Sequence, residues 1–113
     1  MADLTQKKCL PCEGGVAPLT LSEANNLLGQ VLGWQLDSTG QVISRDFTFK
    51  NFYQVMAFVN AVAWLAHQEN HHPDLEVGYQ HCLVRYSTHA IGGLSENDFI
   101  CAAKVNGLFG DKP

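Results

Sequence analysis

The chain has 113 residues, of which 46% are hydrophobic and only 16% charged, with a net charge of −4. This is one domain's length, with enough apolar material for a single core, and its charge content falls below the roughly 25% of an average soluble domain. No basic run exceeds Lys7-Lys8 and the 55–66 stretch is interrupted by Asn60, so neither the basic patch of a nucleic-acid binder nor the ~20 apolar residues of a membrane span is present, and neither partner is expected.

The start, Met1-Ala2-Asp3-Leu4, has no charged residue followed by an apolar run, so no signal peptide is expected. The cytoplasm, where thiols stay reduced, is the expected compartment. Residues 1–18 are broken by Pro11, Gly14, Gly15 and Pro18 and read as a flexible arm. Cys9-x-x-Cys12 lies in this arm without a second such pair, which makes it a weak metal signal.

Thr20-Leu21-Ser22-Glu23 fits a capping box. Behind it Ala24, Leu27, Leu28 and Val31 recur at helical spacing, and Gly33 is placed to end the helix. Residues 34–37 and 41–49, joined by the turn Ser38-Thr39-Gly40, read as a hairpin with Ile43, Phe47 and Phe49 on one face. Asn51 caps the next helix. Its predicted buried stripe is Phe52, Val55, Met56, Val59, Val62, Ala63 and Ala66. Pro73 cannot continue that helix, so His71-His72 falls just past its end.

Residues 75–79 and 82–88 form a second strand pair, with Cys82, Val84 and Tyr86 pointing one way and His81, Leu83, Arg85, Ser87 and His89 the other. Cys82 and Cys101 read as small core residues. After the Gly92-Gly93 loop, Ser95 caps a last helix whose stripe is Phe99, Ala102, Ala103 and Asn106, and Gly107 and Gly110 end it. The order α-β-β-α-β-β-α implies a two-layer α+β domain over residues 19–110, a four-stranded antiparallel sheet with helices on one face. The other sheet face is expected to invite a partner, a second copy first of all.

Three of the five histidines lie within residues 67–72. His71-His72-Pro73-Asp74 sits at a helix-to-strand connection, and His89 is expected to end a strand in Ser87-Thr88-His89. Element ends are where functional side chains are presented. Imidazoles around one pocket can supply both a proton donor and an acceptor near neutral pH, worth about 10²–10⁴-fold. A plainer account also exists. Histidines at a helix C-terminus interact well with its dipole, and Asp98, three residues after Ser95, could serve only as a cap. His67 and His71 are four apart, a ligand spacing, but His67-Gln68-Glu69-Asn70-His71 is not H-E-x-x-H. No metal is expected.

Asn70-His71-His72-Pro73-Asp74, then Ser87-Thr88-His89, then Gly93-Leu94-Ser95-Glu96-Asn97-Asp98 resembles the pterin-4a-carbinolamine dehydratase family. Gly33-Trp34 and Phe47-Thr48-Phe49-Lys50-Asn51-Phe52 support the resemblance, which covers about residues 18–108. It implies the same two-layer fold, a homodimer or homotetramer, and dehydration of 4a-hydroxytetrahydropterin to quinonoid dihydropterin. It implies no cofactor beyond the pterin substrate, and a role in recycling the cofactor of an aromatic amino-acid hydroxylase. By the resemblance, His71 and His89 match the proton-transfer histidines and His72 the one that positions the pterin. Asn70, Pro73, Ser87, Thr88, Ala90 and Asp98 fall on the substrate-binding positions.

Some positions depart from the family pattern. His67 stands where a glutamate is usual, with Glu69 a candidate substitute, while Leu75 and Asn97 replace the vertebrate tryptophan and arginine. The Cys9-x-x-Cys12-Glu13-Gly14-Gly15 segment resembles the N-terminus of bacterial members. The rival expectations are a non-catalytic dimerisation partner of a hydroxylase or transcription factor and, after it, a protein that binds metal through His67, His71, His72 or the Cys9/Cys12 pair.

Overall fold

In a computed structural model, residues 4–10 and 17–109 are described. Pro11, Cys12, Glu13-Gly14-Gly15 and Gly110 lie outside them. The elements are α1 (Leu21–Leu28), β1 (Gln35–Leu36), β2 (Ile43–Thr48), α2 (Phe52–Glu69), β3 (Asp74–Val77), β4 (His81–Tyr86) and α3 (Glu96–Asn106). Short 3-10 turns occupy Leu4–Gln6, His89–Ile91 and Gly107–Phe109.

The expected caps form. Thr20 Oγ1 accepts the Glu23 N–H at 3.2 Å while the Glu23 carboxylate accepts the Thr20 N–H at 2.8 Å. Asn51 Oδ1 accepts the Gln54 N–H at 2.9 Å. α1, however, ends at Leu28 rather than near Gly33. Val31 continues in a turn and is buried there. Gly33 has φ +86°, and the Arg45 guanidinium passes 2.8 Å from where its Cβ would lie. Only glycine admits both the backbone conformation and the approach. Arg45 donates to the Leu32 carbonyl and to Asn106 Oδ1, and the Trp34 indole N–H donates to that same Asn106 oxygen. Trp34, expected inside the first strand, is held just before it.

The sheet order is β1-β2-β4-β3, antiparallel throughout. The registers Leu36↔Ile43, Phe47↔Cys82 and Leu75↔Val84 align apolar residues on the face beneath the helices. α2 buries Val55, Phe58, Val62 and Leu65. Its stripe is rotated from the expected one, because Phe52 is 41% exposed and Ala63 is also exposed. The rotation places Phe58 against Phe47 at 4.7 Å and Phe49 at 5.1 Å. Burying a phenylalanine removes far more apolar area than burying an alanine, which favours this face. Phe58→Ala is expected to cost about 3–5 kcal/mol, measured as a lower urea midpoint.

The sheet face away from the helices, expected as the surface for association, carries the ion pairs Asp46–His81 at 2.9 Å and Glu76–Arg85 at 2.6 Å. Large exposed aromatics lie on α2, at Phe52, Tyr53 and Trp64, and between β3 and β4, at Tyr79. The flexible arm expected over residues 1–18 is docked over residues 4–10. Leu4 is buried in the core and Lys7 Nζ meets the Glu96 carboxylate at 2.8 Å. Among the described residues no helix is long and apolar enough to cross a membrane.

Candidate active site

The end of α2 decides where His71 and His72 point the chain. Asn70 adopts the left-handed conformation, φ 53°, which asparagine tolerates better than most side chains. The Asn70 N–H then bonds the His67 carbonyl at 3.4 Å and the His71 N–H bonds the Ala66 carbonyl at 3.1 Å. This closes the helix as a Schellman motif. The chain leaves the helix axis at the two histidines, and Pro73 leads into β3.

His71 Nε2 lies 2.6 Å from Asp98 Oδ1, and its ring stacks on Tyr86 with centroids 5.6 Å apart and planes 9° from parallel. Asp98 is fully buried in the first turn of α3. Its other oxygen accepts the Thr88 hydroxyl at 2.8 Å and the Ser95 N–H at 3.0 Å. Asp98 therefore caps α3 as its spacing predicts and also holds a histidine. A carboxylate accepts, so Nε2 of His71 donates to it and Nδ1 is the ring nitrogen left for other partners.

His89 does not end a strand. β4 stops at Tyr86, and His89 opens the 3-10 turn His89–Ile91. The Thr88 N–H bonds the Gly93 carbonyl at 2.8 Å and closes that loop. Thr88 is tied underneath to Asp98, so His89 and Ala90 are presented from a pinned turn.

A cleft of about 340 Å³ gathers Asn70, His71, His72, Ser87, Thr88, His89 and Ala90. Pro73 is outside its lining, and Asp98 acts through His71 and Thr88. A larger concavity of about 620 Å³ lies along β2 between Arg45 and Lys50, with no histidine in its lining. His67 is exposed with its ring 5.4 Å from Trp64, outside the cleft. His67 and His71 thus make different contacts, and His81 belongs to the Asp46 pair.

Four further residues line the cleft: Cys9, Leu10, Glu69 and Asn97. The carboxylate that borders it is Glu69, which accepts the Cys9 N–H at 2.9 Å and Lys104 Nζ at 2.8 Å. Burial pushes the Glu69 carboxyl up. The Cys9 N–H, the Lys104 hydrogen bond and the Lys104 charge outweigh it and hold the group below its ordinary value of 4.5. A lowered folded value means that stabilisation is complete above about pH 4.5 and is lost as acid titrates the folded group. Glu69→Gln is therefore expected to lower stability at pH 7 and to shrink the loss seen on acidification, in denaturation melts across pH.

Cys9 Sγ lies 3.5 Å from Cys101 Sγ. That contact and burial push the Cys101 thiol well above its ordinary range, so it stays protonated. Helical and strand periodicity carry no sign of Cys9 or Leu10 at the site. The only sequence cues were the C-x-x-C motif and the position of Asn97 beside Asp98.

Residues 17–108 match the family model described as pterin 4 alpha carbinolamine dehydratase. A Nitrosomonas europaea protein provisionally named pterin-4-alpha-carbinolamine dehydratase is 64% identical over 110 residues, 96% of each chain. A Legionella pneumophila protein with the same provisional name is 53% identical, over 97% of this chain and 98% of its own. Among solved structures, a transcriptional coactivator/pterin dehydratase from Brucella melitensis superposes with a TM-score of 0.78 at 34% identity, covering 82% of this chain and 99% of that one. A pterin dehydratase-like protein identified as a RuBisCO assembly factor shares the fold, with a TM-score of 0.60 at 23% identity over 69% of this chain and 90% of that one.

Proposed function

The chain belongs to the pterin-4a-carbinolamine dehydratase family of hydro-lyases, and from that premise we propose that His71, His72 and His89 dehydrate 4a-hydroxytetrahydropterin by general acid/base catalysis. The C4a–O bond breaks as a proton reaches the leaving hydroxyl, and water departs. The N5 proton is removed, and quinonoid dihydropterin remains. One imidazole must give a proton and another must take one. His71 and His89 fill these two roles. His72 positions the ring, with Asn70, Pro73, Ser87, Thr88 and Ala90 around it. The pterin is the substrate, and the reaction needs no cofactor.

The observation that carries this reading is the His71–Asp98 bond at 2.6 Å beneath a cleft that His72 and His89 also border. A buried carboxylate with no proton to give fixes one imidazole in one tautomer and orientation, as a base requires. In the cell the reaction would recycle the reduced pterin of an aromatic amino-acid hydroxylase in the cytoplasm. The family resemblance supports that role and a homo-oligomer. The second reading is a non-catalytic partner role, favoured by the names of the two solved structures. The test is to form the carbinolamine in situ and follow quinonoid dihydropterin by absorbance. Acceleration over the spontaneous rate supports the enzyme. A rate equal to the spontaneous one leaves the partner role.

A further inference from the structure

Leu10 is 71% exposed, yet its backbone is fixed at both polar atoms. Its N–H donates to Asn97 Oδ1 at 3.0 Å, and its carbonyl accepts the Asn97 amide N–H at 2.6 Å. The preceding residue, Cys9, is held by Glu69 at 2.9 Å. An exposed leucine contributes little to folding, so fixing it this firmly is unrewarded within the chain alone. All four residues line the cleft that holds His71, His72 and His89. A side chain held rigid at the rim of a cleft meets a ligand at low entropic cost.

Resting on the dehydratase reading above, we infer that Leu10, clamped by Asn97, is the wall against which the pterin's C6 substituent packs, and that it selects short uncharged substituents. The chemistry places the substituent there. C6 is bonded to N5, and N5 must meet an imidazole to lose its proton, so whatever C6 carries leaves the ring beside the reacting edge. The charge distribution sets the preference. Among the described residues the cleft lining contains no lysine or arginine, its carboxylate, Glu69, is already paired with Lys104, and the chain as a whole carries −4. A carbon chain with hydroxyl groups packs on leucine, whereas a glutamate-bearing substituent finds no lysine or arginine in this lining to receive its charge.

Equilibrium binding of stable 7,8-dihydropterins tests this, by fluorescence quenching with the full chain. The probes bear at C6 either hydrogen, a dihydroxypropyl group, or the aminobenzoyl-glutamate of dihydrofolate. The wild type is expected to bind the dihydroxypropyl probe at least tenfold more tightly than dihydrofolate. Leu10→Ala should reduce the advantage of dihydroxypropyl over hydrogen about fivefold to tenfold, and Leu10→Lys should narrow the gap to dihydrofolate by a similar factor. Leu10 is exposed, so neither change threatens the fold. Equal changes for all three probes, or no change, overturn the inference. If the wild type discriminates among these probes but fails to dehydrate the carbinolamine, the catalytic reading falls and the binding wall stands. If it binds none of them, both fall.

Discussion

Replacing His71 or His89 with alanine is expected to lower kcat for carbinolamine dehydration by roughly 10²–10⁴-fold each, the range supplied by a positioned acid or base. The two variants should differ in kind. His71 is mostly buried, stacked on Tyr86 and bonded to Asp98, so its loss also leaves a cavity and removes one donor from a buried carboxylate. Some loss of stability should accompany the kinetic effect. His89 is exposed on the 3-10 turn, and its removal should leave the denaturation midpoint unchanged. If the histidines act as one proton-transfer unit, the double variant should be little slower than the slower single one. Wild-type kcat in both single variants would remove the acid/base assignment.

Much of this arrangement was legible in the sequence because it depends on short-range physics. Thr20 with Glu23, and Asn51 with Gln54, satisfy backbone donors within one turn, so composition alone locates them. The ordered motifs at residues 70–74, 87–89 and 93–98 likewise bring together residues that the fold collects at one cleft. What could not be read was settled by long-range packing. The stripe of α2 rotates because Phe58 finds Phe47 on β2 and Phe49 just after it, and a period of three and four admits either face. α1 ends at Leu28, with Gly29 as its cap and Gln30 and Val31 turning back onto Leu27 and Leu28, while Gly33 gives passage to Arg45, whose partner Asn106 lies 61 residues further on.

The arm shows the same limit most clearly. Prolines and glycines predict an irregular segment. Whether such a segment is loose or docked depends on groups that periodicity cannot see. Here Glu69 and Asn97, 60 and 87 residues away, receive its backbone. The departure at His67 is resolved in the same way. The side chain at that position lies on the exposed side of α2 against Trp64, while the carboxylate two residues later reaches the cleft and binds the arm. The residue at the glutamate position of the resemblance and the carboxylate beside this cleft thus make different contacts.

Asp98→Ala is expected to reduce both activity and stability, whereas Asp98→Asn should separate the two. The carboxylate accepts from His71, Thr88 and Ser95 with no exposed surface. Alanine leaves these donors without their acceptor in a dry site, at about 1–3 kcal/mol for each that finds no substitute. Thr88 keeps a neighbour in the Ser95 hydroxyl at 2.7 Å, so a total of about 3–5 kcal/mol is expected in chemical denaturation. Asparagine keeps the volume and one acceptor oxygen. With that oxygen kept for Thr88 and Ser95, the amide N–H₂ faces His71 and favours protonation at Nδ1 instead of Nε2. The lone pair needed for proton transfer then points at the amide rather than at the substrate. The same exchange in a Ser-His-Asp triad costs about 10⁴-fold in kcat. Here we expect about 10²–10³-fold, the leaving group being easier to expel, with KM little changed and most of the stability retained. The ¹⁵N chemical shifts of the His71 ring, read in Asp98→Asn and in the wild type, would show the tautomer exchange. An unchanged tautomer with unchanged kcat would reduce Asp98 to the cap of α3.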